Sequence, residues 1–117
     1  MRSMVEGQVM LVIDGADVAS EDDFHSLLAG HPKVPGFYGR NLDALWDTIT
    51  GLIERPFSIV WFNTEQSRVR MGAGFDRVVA VLKEAEQRDA SEPWPDHQKF
   101  RAHLLTGPLQ LPSEPSL

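Results

Sequence analysis

The sequence predicts a small α/β domain with a parallel sheet. Two short runs, Val9-Met10-Leu11-Val12-Ile13 and Phe57-Ser58-Ile59-Val60-Trp61-Phe62, have the β-branched and aromatic content that strands favour. Segments with helical spacing separate them, and strands joined through helices pair in parallel. A length of 117 residues suits one domain with its own hydrophobic core.

The first run is closed by Asp14-Gly15 and reads as a strand buried on both faces. Ser20 then caps a helix whose first turn carries Glu21, Asp22 and Asp23, with Phe24, Leu27 and Leu28 as its buried face and Gly30 as its stop. From His31 to Arg40 the chain holds Pro32, Pro35, Gly36 and Gly39, which exclude helix or central strand and leave a loop. Asn41 is a strong capping residue, and Leu42, Leu45, Trp46, Ile49, Leu52 and Ile53 follow the spacing of one buried helical face. That helix is expected to end between Gly51 and Arg55, because Pro56 cannot continue it.

The run from Phe57 to Phe62 reads as a second buried strand. A short helical turn is expected from Thr64, and Gly72 and Gly74 precede a clearer helix with the apolar stripe Phe75, Val78, Val79, Leu82 and Ala85. Val81, Glu84 and Arg88 lie on its more exposed flank. Past Ser91-Glu92-Pro93-Trp94-Pro95, the segment Lys99 to Leu105 alternates loosely, as an edge strand does. Gly107 to Leu117 holds three prolines and no helical period, so the domain is placed at residues 1–106 and a disordered tail at 107–117.

Eleven basic against 17 acidic residues give a formal charge of −6, which argues against direct nucleic-acid binding and favours a basic partner. The chain has no cysteine, so a disulfide framework and thiolate metal sites are excluded and a reducing cytoplasm suits it. No leader is expected near the N-terminus, and no run approaches the roughly 20 apolar residues of a membrane span.

The positions left over from the buried helical face are Asp43, Asp47, Thr50 and Glu54, at i, i+4, i+7 and i+11, with no Lys or Arg between 41 and 54. Such a stripe is commonly only a solvated face. Like charges one turn apart are nevertheless mildly destabilising, by roughly a few tenths of a kcal/mol, so an external cation is the alternative. Paired carboxylates can also act as general acid and base, but exposed groups have no means of separating their pKa values, and no enzyme is expected. Mg²⁺ held by Asp43 and Asp47 is possible in principle. His25, His31, His97 and His103 lack zinc-motif spacing and read as surface or satisfied packing residues; neither metal nor cofactor is expected.

The run Phe37-Tyr38-Gly39-Arg40-Asn41-Leu42-Asp43-Ala44-Leu45-Trp46-Asp47, continuing through Thr50-Gly51 and Glu54, closely resembles the barstar family of intracellular ribonuclease inhibitors. Similarity extends more loosely from Val9 to Arg88. The resemblance implies a three-stranded parallel sheet packed with three to four helices; a monomer before binding is the expectation for the chain itself. It implies that the acidic helix and aromatic loop plug the active site of a basic ribonuclease or ribonuclease-like toxin. It matches Phe37, Asn41, Leu42, Asp43, Trp46, Asp47, Thr50 and Glu84 to contact positions, with Asp47 at the carboxylate that enters the enzyme's phosphate site; Tyr38, Gly39, Glu54 and Val81 complete the expected partner-binding set. Leu52 stands where the best-known member has an aromatic, and Arg88 where it has an acid. The alternative reading is a module of the same fold that binds a basic protein other than a nuclease.

Overall fold

The computed structural model describes residues 9–109. Strands β1 (Val9–Asp14), β2 (Phe57–Phe62) and β3 (Arg101–Leu104) form one sheet in the order β1-β2-β3, parallel throughout. Two helices, α1 (Glu21–Ala29) and α2 (Leu42–Asp47), lie in the connection from β1 to β2; α3 (Thr64–Met71) and α4 (Ala73–Ala90) lie in that from β2 to β3. The expected tail is described only as far as Leu109, and residues 110–117 lie outside the described set. Gly107 itself is tied down, since its carbonyl accepts the Asn63 N–H at 2.8 Å.

Helices cover one face of the sheet. Ile13, Phe57, Ile59, Trp61 and Ala102 point into the core, whereas Met10 and Val12 are about half exposed on the other face. Both strands expected to be buried on two faces are therefore buried on one, and β2 alternates buried with half-buried residues. The parallel crossovers all return over the same side, so strongly apolar strand residues are left facing outward. Within the core, Phe24 stacks on Trp61 with ring centroids 5.2 Å apart, and Phe75 meets the Trp61 edge at 5.3 Å.

Local signals account for most element ends. Ser20 accepts the Asp23 N–H at 3.1 Å and Asn41 accepts the Ala44 N–H at 2.7 Å, the side-chain caps expected of those residues. Leu27 is exposed, not buried, and His25 takes its place inside. The turn expected at Thr64 is an eight-residue helix, and Gly74 is a buried member of α4 instead of preceding it. The loop from 31 to 40 contains neither helix nor strand, as expected.

The two sheet edges are closed by side chains. On α4, Glu86 accepts the Ala102 N–H at 3.2 Å and Asp89 accepts the Phe100 N–H at 2.8 Å, so two carboxylates three residues apart cap the outer edge at β3. At β1, His31 Nε2 donates to the Met10 carbonyl at 3.1 Å. Such protection satisfies backbone groups that would otherwise invite another strand.

Gly15, just past β1, packs against the start of α3. A Cβ there would lie 2.0 Å from the Asn63 carbonyl oxygen and 2.8 Å from Ser67 Oγ. Ser67 donates to the Gly15 carbonyl at 2.8 Å and accepts from Trp61 Nε1 at 3.2 Å, so the neighbours cannot retreat freely. Gly15→Ala is expected to destabilise the domain by about 2–3 kcal/mol, measured as a lowered urea midpoint.

Candidate functional site

The last turn of the α2 segment departs from the α-helical period. Residues Thr48–Leu52 form a π turn, closed by the Ile53 N–H on the Thr48 carbonyl at 2.9 Å, and Thr50 Oγ1 donates back to the Trp46 carbonyl at 2.7 Å. The wider turn leaves Ile49 and Ile53 inside as expected and changes the setting of Leu52 and Glu54. Thr48, Ile49 and Ile53 are buried while Leu52 is half exposed, which corrects its expected place in the apolar face. Ile53 is extended, so Glu54 leaves the helical stripe and pairs with Lys33 at 2.8 Å. That hydrogen bond and charge hold the Glu54 carboxyl below its ordinary value, and Glu54 is not an unpaired acid after all.

Asp43 and Asp47 remain exposed one turn apart on α2, and neither forms an ion pair among the described residues. Leu42, Trp46 and Thr50 are half-buried beside them, and Asn41 is exposed at the cap. Phe37 is 76% exposed, an unusually bare aromatic. Glu84 is exposed and Val81 half-buried on α4, which packs against α2. Loop and helix enclose a pocket of about 240 Å³ lined by Phe37, Tyr38, Gly39, Ala44, Asp47, Thr48 and Leu52. This volume falls below the roughly 300 Å³ at which small-molecule sites begin, and suits one side chain. Of the expected residues, Phe37, Tyr38, Gly39 and Asp47 meet there; Asn41, Leu42, Asp43, Trp46, Thr50, Glu54, Val81 and Glu84 do not line it. Ala44, Thr48 and Leu52, at i, i+4 and i+8 along one side of the segment, are additions.

Tyr38 is a core residue as well as a pocket wall. It is 8% exposed, and its hydroxyl lies 2.6 Å from His25 Nδ1. The other imidazole nitrogen, His25 Nε2, is buried without a hydrogen-bond partner among the described residues; Glu21 Oε2 is 3.8 Å away. His25 is therefore not the fully satisfied packing residue expected. An unmet buried polar group costs about 1–3 kcal/mol.

Burial lowers the His25 pKa, opposed by the charges of Glu21 and Asp22, and raises that of the Tyr38 phenol. Between the lowered folded value and about 6.5, the unfolded chain binds a proton that the folded chain does not. Stability from this group is thus complete above about pH 6.5 and falls as the solution is acidified, by at most about 1.4 kcal/mol per pH unit. Urea unfolding at about pH 7.5 and pH 5.5 should give the lower midpoint at the acid value, and His25→Phe should flatten the difference.

A second charged cluster escaped the sequence because its members are far apart in the chain. Asp89, 1% exposed, accepts from both terminal nitrogens of Arg55, one of them at 3.2 Å, as well as from the Phe100 N–H. The Arg55 guanidinium also lies 4.1 Å from the Trp94 ring centroid. This cluster joins the end of the α2 segment to α4 and β3. Among the described residues no three His, Asp or Glu side chains converge as a metal site, and no helix is long and apolar enough to cross a membrane.

A family model described as "Barstar (barnase inhibitor)" matches residues 8–104. The chain is also 39% identical over 77 residues to a Bacillus subtilis (strain 168) protein named "Putative ribonuclease inhibitor YrdF". That similarity spans 66% of this chain and 85% of the relative.

Proposed function

The chain belongs to the barstar family, and from that premise we propose that it inhibits a basic ribonuclease or ribonuclease-like toxin by occluding its active site. The observation that carries this reading is the exposed pair Asp43 and Asp47 on a capped helix, unpaired among the described residues, beside a side-chain-sized pocket and the bare ring of Phe37. A ribonuclease gathers Arg, Lys and His to bind a phosphodiester. Asp47 takes over contacts meant for phosphate oxygens, and carboxylate to guanidinium pairs of this kind are charge-assisted and can be bidentate. Asp43 meets a second basic residue, while Phe37 and Trp46 exclude water around the charges. Asn41, Leu42, Thr50 and Glu84 extend the contact surface. Glu54 contributes through the field alone, since Lys33 already holds it.

The net charge of −6 speeds encounter with a cationic enzyme, an effect that added salt screens. Inhibition of a nuclease inside the cell that makes it places the action in the cytoplasm. The inhibitor domain is assigned to residues 1–106, with the Pro-rich segment 107–117 set apart from it. The chain acts by binding and has no turnover of its own.

The test is a pull-down with the wild-type chain and Asp47→Ala, followed by a ribonuclease assay on what is captured. A basic nuclease recovered by the wild type and lost with Asp47→Ala supports the reading. Capture of a basic protein without nuclease activity would replace inhibitor with adapter.

A further inference from the structure

We propose that His25 is a positioning residue for this site: its Nδ1 holds the Tyr38 hydroxyl, and so fixes the pocket wall next to Asp47. The consequence for binding rests on the inhibitor reading; the placement of Tyr38 does not.

His25 sits on α1, 2% exposed, with the edge of its ring geometry set by Phe24 at a centroid distance of 5.8 Å. Its bond to Tyr38 joins a helix to a loop that has no regular backbone structure of its own. Otherwise the loop is held by the buried Val34, by backbone bonds from the N–H groups of His31, Val34 and Tyr38, by the His31 ring against Phe57 and the Met10 carbonyl, and by exposed contacts such as Arg40 to Ser26 and Lys33 to Glu54. A leucine or phenylalanine at position 25 would fill the same space and leave no orphaned nitrogen. The imidazole accepts that cost and gains a directional hold on the one tyrosine of the chain.

Burial keeps the ring neutral against the carboxylates near it, and those carboxylates select one tautomer. Glu21 and Asp22 approach from α1, Arg40 from the loop, and Arg77 of α4 draws Glu21 Oε1 to itself at 3.2 Å. With its proton on Nε2, facing Glu21, the ring leaves Nδ1 free to accept the phenol proton. Tyr38 then presents its ring, not its hydroxyl, to the pocket. Protonation of Nδ1 would abolish that acceptor, in keeping with burial disfavouring the charged ring.

Three variants decide this: His25→Phe, which keeps a ring without an acceptor; His25→Asn, whose amide oxygen replaces Nδ1; and Tyr38→Phe. The first readout is tyrosinate absorbance of Tyr38 against circular dichroism, and the second is the dissociation rate from purified barnase. In the wild type the phenol should ionise only as the fold is lost, whereas in His25→Phe it should ionise in the folded chain. His25→Phe should also release barnase roughly tenfold faster with an unchanged association rate, because the acids that steer encounter are untouched. His25→Asn should restore both behaviours. Tyr38→Phe should match the faster release, with no further increase in the double variant.

A folded His25→Phe with wild-type phenol ionisation and release overturns the proposal, as do additive effects of the two single variants. If His25→Phe does not fold, an unchanged release rate in Tyr38→Phe overturns it alone. Failure of the wild-type chain to bind barnase counts against the inhibitor reading, and the phenol ionisation still decides the role of His25.

Discussion

Asp89→Ala is expected to destabilise the domain by about 3–5 kcal/mol, a large share of the roughly 5–15 kcal/mol that holds a domain together. Asp89 is 1% exposed and accepts three hydrogen bonds, two from Arg55 and one from the Phe100 N–H. Removing it leaves a mostly buried guanidinium without its counter-charge and an edge N–H of the sheet without an acceptor. The pair itself contributes less than its removal costs, because both ions were desolvated to form it. Asp89→Asn keeps an acceptor for Phe100 and should lose less. Urea unfolding followed by tryptophan fluorescence measures both, with Trp94 beside Arg55 as a local reporter. A loss below about 1 kcal/mol for Asp89→Ala would mean that solvent screens this pair as it screens surface ions.

Asp47→Ala is expected to weaken binding to the target nuclease by about 2–5 kcal/mol while leaving the fold intact. The side chain is exposed and makes no ion pair among the described residues, so nothing inside the domain depends on it. In the complex, the nuclease cations that would have met it are buried and unpaired, and that penalty dominates. The loss should appear in the dissociation rate, with a smaller fall in association rate from the lost charge. Glu54→Ala, by contrast, should change affinity by less than about 1 kcal/mol, since Lys33 already engages that carboxylate at the surface. Equilibrium titration calorimetry on the two variants separates a contact from a contribution to the field.

Local chemistry made much of the fold legible in the sequence. Ser20 and Asn41 cap helices with side-chain oxygens, and the β-branched and aromatic residues of Phe57–Phe62 form the central strand. The edge character of the Lys99–Leu105 segment also follows from its weak alternation. What escaped depends on contacts between distant residues. The open sheet face was hidden because Met10 and Val12 are as apolar as Ile13, and only the side taken by the helices distinguishes them. Likewise, Arg55 and Asp89 are 34 residues apart and have no common motif.

The site was legible in its outline and not in its phase. Asp43 and Asp47 stand exposed as the pattern from Asn41 predicts, and Phe37 is exposed near them. Counting forward at the α-helical period past Asp47 placed Ile49 and Ile53 inside correctly but missed the buried Thr48, the exposed Leu52 and the departure of Glu54 from the helix. Tyr38 lacks any core period because it belongs to a loop, yet its bond to His25 draws it inside. A tyrosine next to an exposed phenylalanine carries no sequence sign of which ring will be buried.

Phosphate mimicry by Asp47 is tested most directly by competition on purified barnase. With a 3′-phosphorylated nucleotide in the catalytic cleft, increasing concentrations of the chain should displace it at one to one stoichiometry, and Asp47→Ala should displace it far more weakly. A ternary complex in which nucleotide and wild-type chain are bound together would contradict occlusion of the cleft, whatever the affinity.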